Sequence, residues 1–97
     1  MSLIGEGFEW DRRKASINQA EHGVTFDEAM TVFDDRLARI FDDPDHSLAE
    51  AREIIIGHSQ RLRLLVVCFT ERGMRVRIFS ARRATWSERK DYEEGTS

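Results

Sequence analysis

The sequence predicts an α+β domain in which two N-terminal helices and a C-terminal helix pack against a small antiparallel sheet of three to five strands. Two capping boxes, Thr25 with Glu28 and Thr85 with Glu88, mark helix starts, because each pair can satisfy free backbone N–H groups there. Between them, residues 53–81 form apolar and alternating runs that are typical of strands. Helices followed by consecutive strands and a last helix are the order expected for an α+β fold.

The first part of the chain is predicted to form a short strand and two helices. Residues 8–10 are apolar and are expected to form an edge strand. Asp11 is a good N-cap for a helix that runs to about Glu21, and Gly23 ends it, because helix C-termini favour glycine. Thr25 then begins the second helix, in which apolar residues recur at helical spacing.

The remaining elements are strands and a final helix. The predicted strands span residues 37–41, 53–58, 63–70 and 75–81, and the last helix spans residues 86–94. The run at 63–70 is almost wholly apolar, which is typical of a central strand buried on both faces. Gly73 lies in the hairpin turn before the last strand, where positive φ is required.

Length and composition indicate one domain. The chain has 97 residues, of which 40% are hydrophobic and 34% charged, so we expect a single domain over residues 8–94 with flexible ends at 1–7 and 95–97. Its one cysteine, Cys68, excludes an internal disulfide. No apolar run approaches the roughly 20 residues of a membrane helix, and a signal peptide is not evident at the N-terminus. These features predict a cytoplasmic protein that contacts no membrane.

The sequence predicts neither a metal site nor a cofactor. The polar loop around Pro44 does not fit a calcium-binding loop, because the glycine and glutamate that such a loop needs are missing at the required positions. His22, His46 and His58 lack the spacing of metal ligands, and no second cysteine is available to join them. We therefore expect the chemistry to rest on the protein's own side chains.

Charge and turn chemistry draw attention to a corner near the C-terminus. Acidic residues dominate positions 1–56, whereas basic residues outnumber acidic ones over 57–92, so a polyanionic partner is plausible. In the last strand, Val76, Ile78 and Ser80 are expected on one face. Arg82 and Arg83 follow at the strand-to-helix corner, where arginine forks suit phosphate oxygens. The alternative is a solvated corner whose arginines pair with nearby acids.

Several motifs resemble those of the BrnT family of type II toxin–antitoxin toxins. These are FEWDRRKASINQAEHGVTFDEAMTVFDD, IIIGHS, RLLVV and RIFSARRATWSERKDYEE, which together extend over about residues 8–94. The resemblance implies a RelE-like fold and a ribonuclease that inhibits translation by cleaving RNA. It also implies a BrnA-like antitoxin of the ribbon-helix-helix type, a two-plus-two complex and contact with DNA only through that antitoxin.

The resemblance also assigns catalytic residues by position. The histidine of the HGV motif is His22, and the arginine before the apolar strand is Arg63. The other two candidate catalytic residues are Arg82 and Arg83, the arginines of the corner. Two positions depart from the family pattern. Glu21 stands where family members often have lysine, and Leu62 stands where they often have glycine. These changes bear on catalytic strength more than on fold or partner.

Metal-free RNA cleavage, in which the ribose 2′-OH attacks the phosphate, requires groups that move protons and cations that stabilise the charge on the phosphorus. His22 is the candidate for proton transfer near neutral pH, and the arginines are the candidate cations. The side chains expected to contact the substrate are Arg61, Arg77, Trp86 and Tyr92. For the two aromatic rings, packing in the core or on the sheet is the alternative.

A different class of function is also consistent with these residues. The same basic surface could serve a non-catalytic module that binds an acidic antitoxin segment or a nucleic acid within a regulatory complex. The distinguishing feature is whether His22 and the arginines converge on one site. A stand-alone DNA-binding protein is disfavoured, because no helix is strongly basic on one face.

Overall fold

A computed structural model describes residues 7–43 and 51–95, and it has the α+β composition that the sequence predicts. In chain order the elements are β1 Phe8–Glu9, α1 Arg12–His22, α2 Phe26–Thr31, a 3-10 helix Val32–Asp34, β2 Arg39–Asp42, β3 Glu53–His58, β4 Leu64–Arg72, β5 Arg75–Arg83 and α3 Trp86–Gly95. Within these ranges no helix is long and apolar enough to cross a membrane. The polar loop around Pro44, with His46, lies outside the described residues, as do most of the predicted flexible ends.

The sheet is mixed, and the prediction of a purely antiparallel sheet is wrong. Its strand order is β1-β5-β4-β3-β2. The four longer strands pair antiparallel, as expected for consecutive hairpins. However, β1 pairs parallel with β5 through Phe8 opposite Val76 and Glu9 opposite Arg77. A two-residue strand carries too little periodicity to reveal its partner, and this pairing joins positions almost 70 residues apart in the chain.

The main core lies between the sheet and the two N-terminal helices. Apolar side chains of β3, β4 and β5 point to this face, and α2 and the residues beside it supply the opposing layer. The buried members are Val24, Phe26, Ala29, Met30, Val32, Ile55, Leu65, Val67, Phe69, Ile78 and Ala81. We call this side of the sheet the helix face. Trp10 packs edge-on against Phe26 and so closes the core beside α1.

The opposite side of the sheet, the open face, is covered only in part among the described residues. There α3 packs across the strands through Tyr92, which is buried with Ile56, Leu64 and Val66. Residue alternation accounts for the two clusters, because neighbouring residues of β3 and β4 point to opposite sides. The sequence identified β4 correctly as a strand buried on both faces.

A β-bulge changes the side that the end of β5 presents. Phe69 pairs with Ile78 but Cys68 pairs with Ser80, so Phe79 is an extra residue without an opposite partner. After this point the alternation is reversed. Ser80 therefore lies on the open face, and the prediction that it shares a face with Ile78 is wrong. Ala81 is buried in the main core instead.

The connection between β3 and β4 places a leucine in an unfavourable conformation. Leu62 has φ of 62°, and among the described residues it alone has positive φ without being glycine. Its N–H donates to the Ser59 carbonyl over 2.8 Å, and the Ser59 N–H donates to the Arg63 carbonyl over 2.9 Å. A turn followed by a left-handed residue is a common hairpin geometry that favours glycine. The leucine side chain is 83% exposed and so gains little from packing.

Replacing Leu62 with glycine is expected to stabilise the protein by about 1 kcal/mol, because the left-handed conformation strains a residue with a Cβ atom but not glycine. Leu62→Ala, which keeps the Cβ atom, is the matched control and should show little gain. Thermal melts of the three proteins measure the effect. A glycine variant no more stable than the alanine variant would show that the turn carries no such strain.

Candidate active site

The strand-to-helix corner is organised by an ion pair between Arg82 and Glu88. The two Arg82 terminal nitrogens donate to the two Glu88 carboxylate oxygens over 2.7 and 2.9 Å. Glu88 also accepts from the Thr85 N–H over 2.8 Å, while the Glu88 N–H donates to the Thr85 hydroxyl over 3.1 Å. The predicted capping box is therefore present, and its glutamate also holds the first arginine of the corner.

This ion pair shifts the pKa values of both side chains. The Arg82 side chain, through its hydrogen bonds, holds the pKa of Glu88 down at about 2, against the opposing effect of burial. The carboxylate in turn raises the pKa of Arg82. Both groups are thus charged at neutral pH, and much of the positive charge of Arg82 is neutralised locally.

The two corner arginines occupy opposite faces of the sheet. Arg82 lies opposite Val66, on the open face, whereas Arg83 lies opposite Leu65, which belongs to the main core. Successive residues of a strand point to opposite sides, so the two guanidinium groups diverge. Arg83 is exposed. The adjacent arginines therefore do not form one phosphate clamp by themselves.

His22 ends helix α1 and remains accessible to solvent. Gly23 follows as the C-cap with φ of 68°, and its N–H donates to the Gln19 carbonyl, as glycine is expected to do at this position. The His22 side chain is 38% exposed, and its Nε2 lies 3.8 Å from a carboxylate oxygen of Glu21. The imidazole is therefore accessible to a substrate.

Arg63 connects β4 to the turn that carries His22. It donates to the Gly23 carbonyl over 3.1 Å, and it forms two hydrogen bonds with Glu28, of which the one from Nε is 2.9 Å long. Glu28 is only 4% exposed and also accepts from the Ser59 hydroxyl. We call this arrangement the Glu28 clamp. It holds the start of α2, the α1–α2 turn and the β3–β4 turn together.

The pKa values within the clamp reflect the same contacts. Hydrogen bonds from Arg63 lower the pKa of Glu28, although burial acts in the opposite direction. The carboxylate raises the pKa of Arg63. Arg61 lies 3.7 Å from the same carboxylate, but its side chain is 67% exposed. Arg61 is therefore more available to a ligand than Arg63, which is engaged on both edges of its guanidinium.

His22, Arg63 and Arg83 are brought to the same end of the molecule. Along α1, Asn18 brackets Ala81 of β5 by accepting from its N–H and donating to its carbonyl. His22 follows Asn18 by about one helical turn, and Arg83 follows Ala81 by two residues on the same face. Since Arg63 bonds to the residue after His22, these three predicted residues lie at the same end of the molecule, whereas Arg82 lies across the sheet.

Besides Arg61, the three other predicted substrate contacts are placed differently from one another. Trp86 is 75% exposed, with the Lys90 ammonium 5.3 Å from its ring centroid, so its ring is accessible. Arg77 lies roughly 20 Å along β5 from the corner and is paired with Glu9 over 2.9 Å. The Tyr92 ring is only 5% exposed. Its hydroxyl donates to the Leu37 carbonyl, so this ring is unsuited to stacking on a base.

Some important groups were not evident from the sequence. Glu28 was expected to act only as a helix cap, because nothing in the sequence reveals that Arg63 reaches it. His58 contacts Asp35 over 3.8 Å at the end of β3, in a network that includes Tyr92.

Burial raises the pKa of Cys68 to about 11, so its thiol stays protonated and is not a nucleophile. Among the described residues, no group of three or more suitable side chains could hold a metal ion.

Comparisons with known proteins agree with this architecture. A family model described as "Ribonuclease toxin, BrnT, of type II toxin-antitoxin system" matches residues 10–88. The crystal structure of the Brucella abortus ribonuclease toxin, BrnT, matches with a TM-score of 0.62 and 26% sequence identity; the match covers 80% of this chain and 95% of that chain. A comparison with curated proteins finds no match.

These matches define the class of protein as the ribonuclease toxins of type II toxin–antitoxin systems. The chain belongs to the BrnT family, since the family model extends over most of its length. The resemblance recognised in the sequence motifs is thus confirmed. Membership also implies an antitoxin partner, because a type II system pairs its toxin with an antitoxin protein.

Proposed function

We propose that the protein is an endoribonuclease that cleaves RNA without a metal ion, with its active site at the end of the molecule where His22, Arg63 and Arg83 converge. The observation that carries this proposal is the hydrogen bond from Arg63 to the Gly23 carbonyl, which ties a cation to the turn that presents His22. A proton-transfer group and cations at one accessible end are what metal-free phosphodiester cleavage requires.

In the proposed reaction, the ribose 2′-oxygen attacks the adjacent phosphorus and gives its proton to His22. The bond from phosphorus to the 5′-oxygen breaks, that oxygen takes up a proton from solvent water, and a 2′,3′-cyclic phosphate remains. Arg83 stabilises the negative charge that develops on the phosphate oxygens. Arg63 acts chiefly as a positioning residue, because the Glu28 clamp already engages its guanidinium.

The wider assignment follows the family resemblance. We infer that residues 8–94 form one RelE-like toxin domain that acts in the cytoplasm. The antitoxin is proposed to be a BrnA-like ribbon-helix-helix protein, which forms a two-plus-two complex with the toxin and makes the contacts with DNA. Reconstitution with the product of a neighbouring reading frame, followed by measurement of the mass of the complex, tests the partner and its stoichiometry.

One observation favours the alternative of a non-catalytic binding module. Arg63 and Arg82 both have carboxylate partners within the chain, so much of the positive charge predicted for the site is neutralised. In that case the exposed Arg61 and Arg83 would bind an acidic antitoxin segment without any RNA chemistry. Incubating the purified toxin with RNA at high enzyme concentration distinguishes the two functions, because a binding module leaves the RNA intact.

Cleavage is expected to persist in excess EDTA, because a histidine and arginines supply the proton transfer and charge stabilisation that a metal ion would otherwise provide. Single-turnover cleavage of a model RNA, with and without chelator, measures this. A magnesium-dependent ribonuclease treated in parallel shows that the chelator is effective. Activity that disappears in EDTA and returns with added magnesium would contradict the proposed mechanism.

A further inference from the structure

A groove crosses β5 and links the side of the molecule that carries His22 to the open face of the sheet. One cavity of about 190 Å³ lies beside His22, and another of about 410 Å³ lies on the open face. Lys14, Phe79 and Ser80 line both cavities, so the two lie side by side at β5. We call this feature the β5 groove. Its part on the open face is also lined by Arg52 and Arg82.

The groove results from the irregularity of β5. The bulge leaves Phe79 without an opposite residue on β4, and a bulge of this kind turns a side chain away from the regular alternation. In addition, β1 pairs only with Val76 and Arg77. Beyond that pairing, helix α1 is the described element that lies along β5, and its Lys14 reaches the Phe79 ring.

The Phe79 ring contacts two cationic side chains in the groove. The guanidinium carbon of Arg52 lies 3.9 Å from the ring centroid, and the Lys14 ammonium lies 5.4 Å from it. Such cation–π contacts hold long side chains in place. Asp43 also lines this part of the groove, where it accepts a hydrogen bond from the Cys68 thiol over 3.6 Å. Among the described residues, the acidic groups that line the groove are therefore Asp43 in this part and Glu21 beside His22.

This combination suits a single-stranded nucleic acid. Proteins that bind single strands combine cations along a groove with flat side chains on which bases stack, and the guanidinium plane of arginine serves as well as an aromatic ring. A guanidinium held on Phe79 offers such a plane together with a positive charge. Since the groove opens beside His22, a strand that lies in it would pass the proposed proton-transfer group.

We propose that the β5 groove holds the single-stranded RNA substrate, with Lys14 and Arg52 contacting its phosphates and the Arg52–Phe79 stack supporting a base. This inference rests on the proposed function, because it extends the site at His22 across the strand. It also gives Arg82 a place in the substrate path, although that residue lies across the sheet from Arg83. Lys14, Arg52 and Phe79 thus become candidate substrate-binding residues that the sequence motifs did not single out.

The test measures binding separately from cleavage. The probe is a fluorescein-labelled single-stranded 2′-O-methyl RNA, which cannot be cleaved because its 2′-oxygens are blocked. In fluorescence anisotropy at low salt, the double variant Lys14→Gln/Arg52→Gln is expected to raise Kd by about tenfold or more. The slope of log affinity against log salt should become shallower by about 1.4, since each lost phosphate contact on a single strand contributes about 0.7. Arg75→Gln, which removes an exposed charge at the far end of β5, is the matched control and should leave Kd unchanged.

An unchanged Kd in the double variant, or an equal rise in the Arg75→Gln control, would overturn the groove as the RNA path. Circular dichroism verifies folding, and the single variant Lys14→Gln, at an exposed helix position, provides the same test if the double variant is unstable. With cleavable RNA, KM should rise in the double variant while kcat at saturating RNA changes less than about twofold. If the parent protein proves unable to cleave RNA, the proposed function fails, yet the anisotropy result still decides whether the groove binds the strand.

Discussion

Replacing Arg83 with alanine is expected to lower the rate of RNA cleavage by more than about a hundredfold, equivalent to about 3 kcal/mol of transition-state stabilisation. The guanidinium is exposed at the end of the molecule that carries His22. The melting temperature should therefore stay close to that of the parent. Growth arrest on induced expression and single-turnover cleavage by purified protein measure the effect.

Arg82→Ala is the variant with which Arg83→Ala is to be compared. Because Arg82 binds Glu88 within the cap of α3, its loss should reduce stability by about 1 kcal/mol as well as weaken substrate binding. The pKa of Glu88, lowered from 4.5 to about 2, makes the pair stabilising above pH 4.5, and this stabilisation is lost as the pH falls towards 2. The parent should therefore lose stability over that interval, and Arg82→Ala should lose less, because Glu88 then keeps only its hydrogen bonds with Thr85. Full toxicity of both Arg83→Ala and Arg82→Ala would exclude the corner from the active site.

The fold was predictable wherever the chain carries a local signal. Capping boxes, glycine stops and long apolar runs identified all three α-helices and the four longer strands, because each depends on residues close together in the sequence. The parallel pairing of β1 with β5 and the bulge at Phe79 were not predictable. Both depend on contacts between distant segments, and the bulge reverses the side-chain alternation that a regular strand would have.

The site was predictable in its residues more than in its arrangement. Motif resemblance indicated His22, Arg63 and Arg83, and the fold brings these together. It did not reveal that Arg82 faces the other side of the sheet, because two adjacent residues look equivalent in a sequence. Glu28 illustrates the same limit, since its spacing from Thr25 satisfies the capping-box pattern while its carboxylate instead binds Arg63.

The clamp gives Arg63 a role that the motif does not convey. In the proposed mechanism, a guanidinium that binds Glu28 and the Gly23 carbonyl acts chiefly by orienting the turn that presents His22. The exposed groups that remain for the reaction are then His22 and Arg83, with Arg61 close by. In the proposed mechanism, catalysis consequently depends on a small number of side chains, and His22 is the proposed proton-transfer group.

His22→Gln is expected to reduce single-turnover cleavage by about a hundredfold or more, because glutamine preserves size and hydrogen bonding but cannot accept the 2′-OH proton. The parent's rate should change with pH between about 5.5 and 8.5, the range in which histidines commonly titrate, and the variant's profile should be flat. Stability should hardly change, since the imidazole is 38% exposed and lies at a helix end capped by Gly23. His58→Gln is the matched control, because it removes a similarly exposed histidine at the end of β3 and should preserve the parent's rate and pH profile. A His22→Gln protein that cleaves as fast as the parent across this range would exclude the histidine from the chemistry, whereas a large loss in the His58→Gln control would place the proton-transfer group at the end of β3 instead.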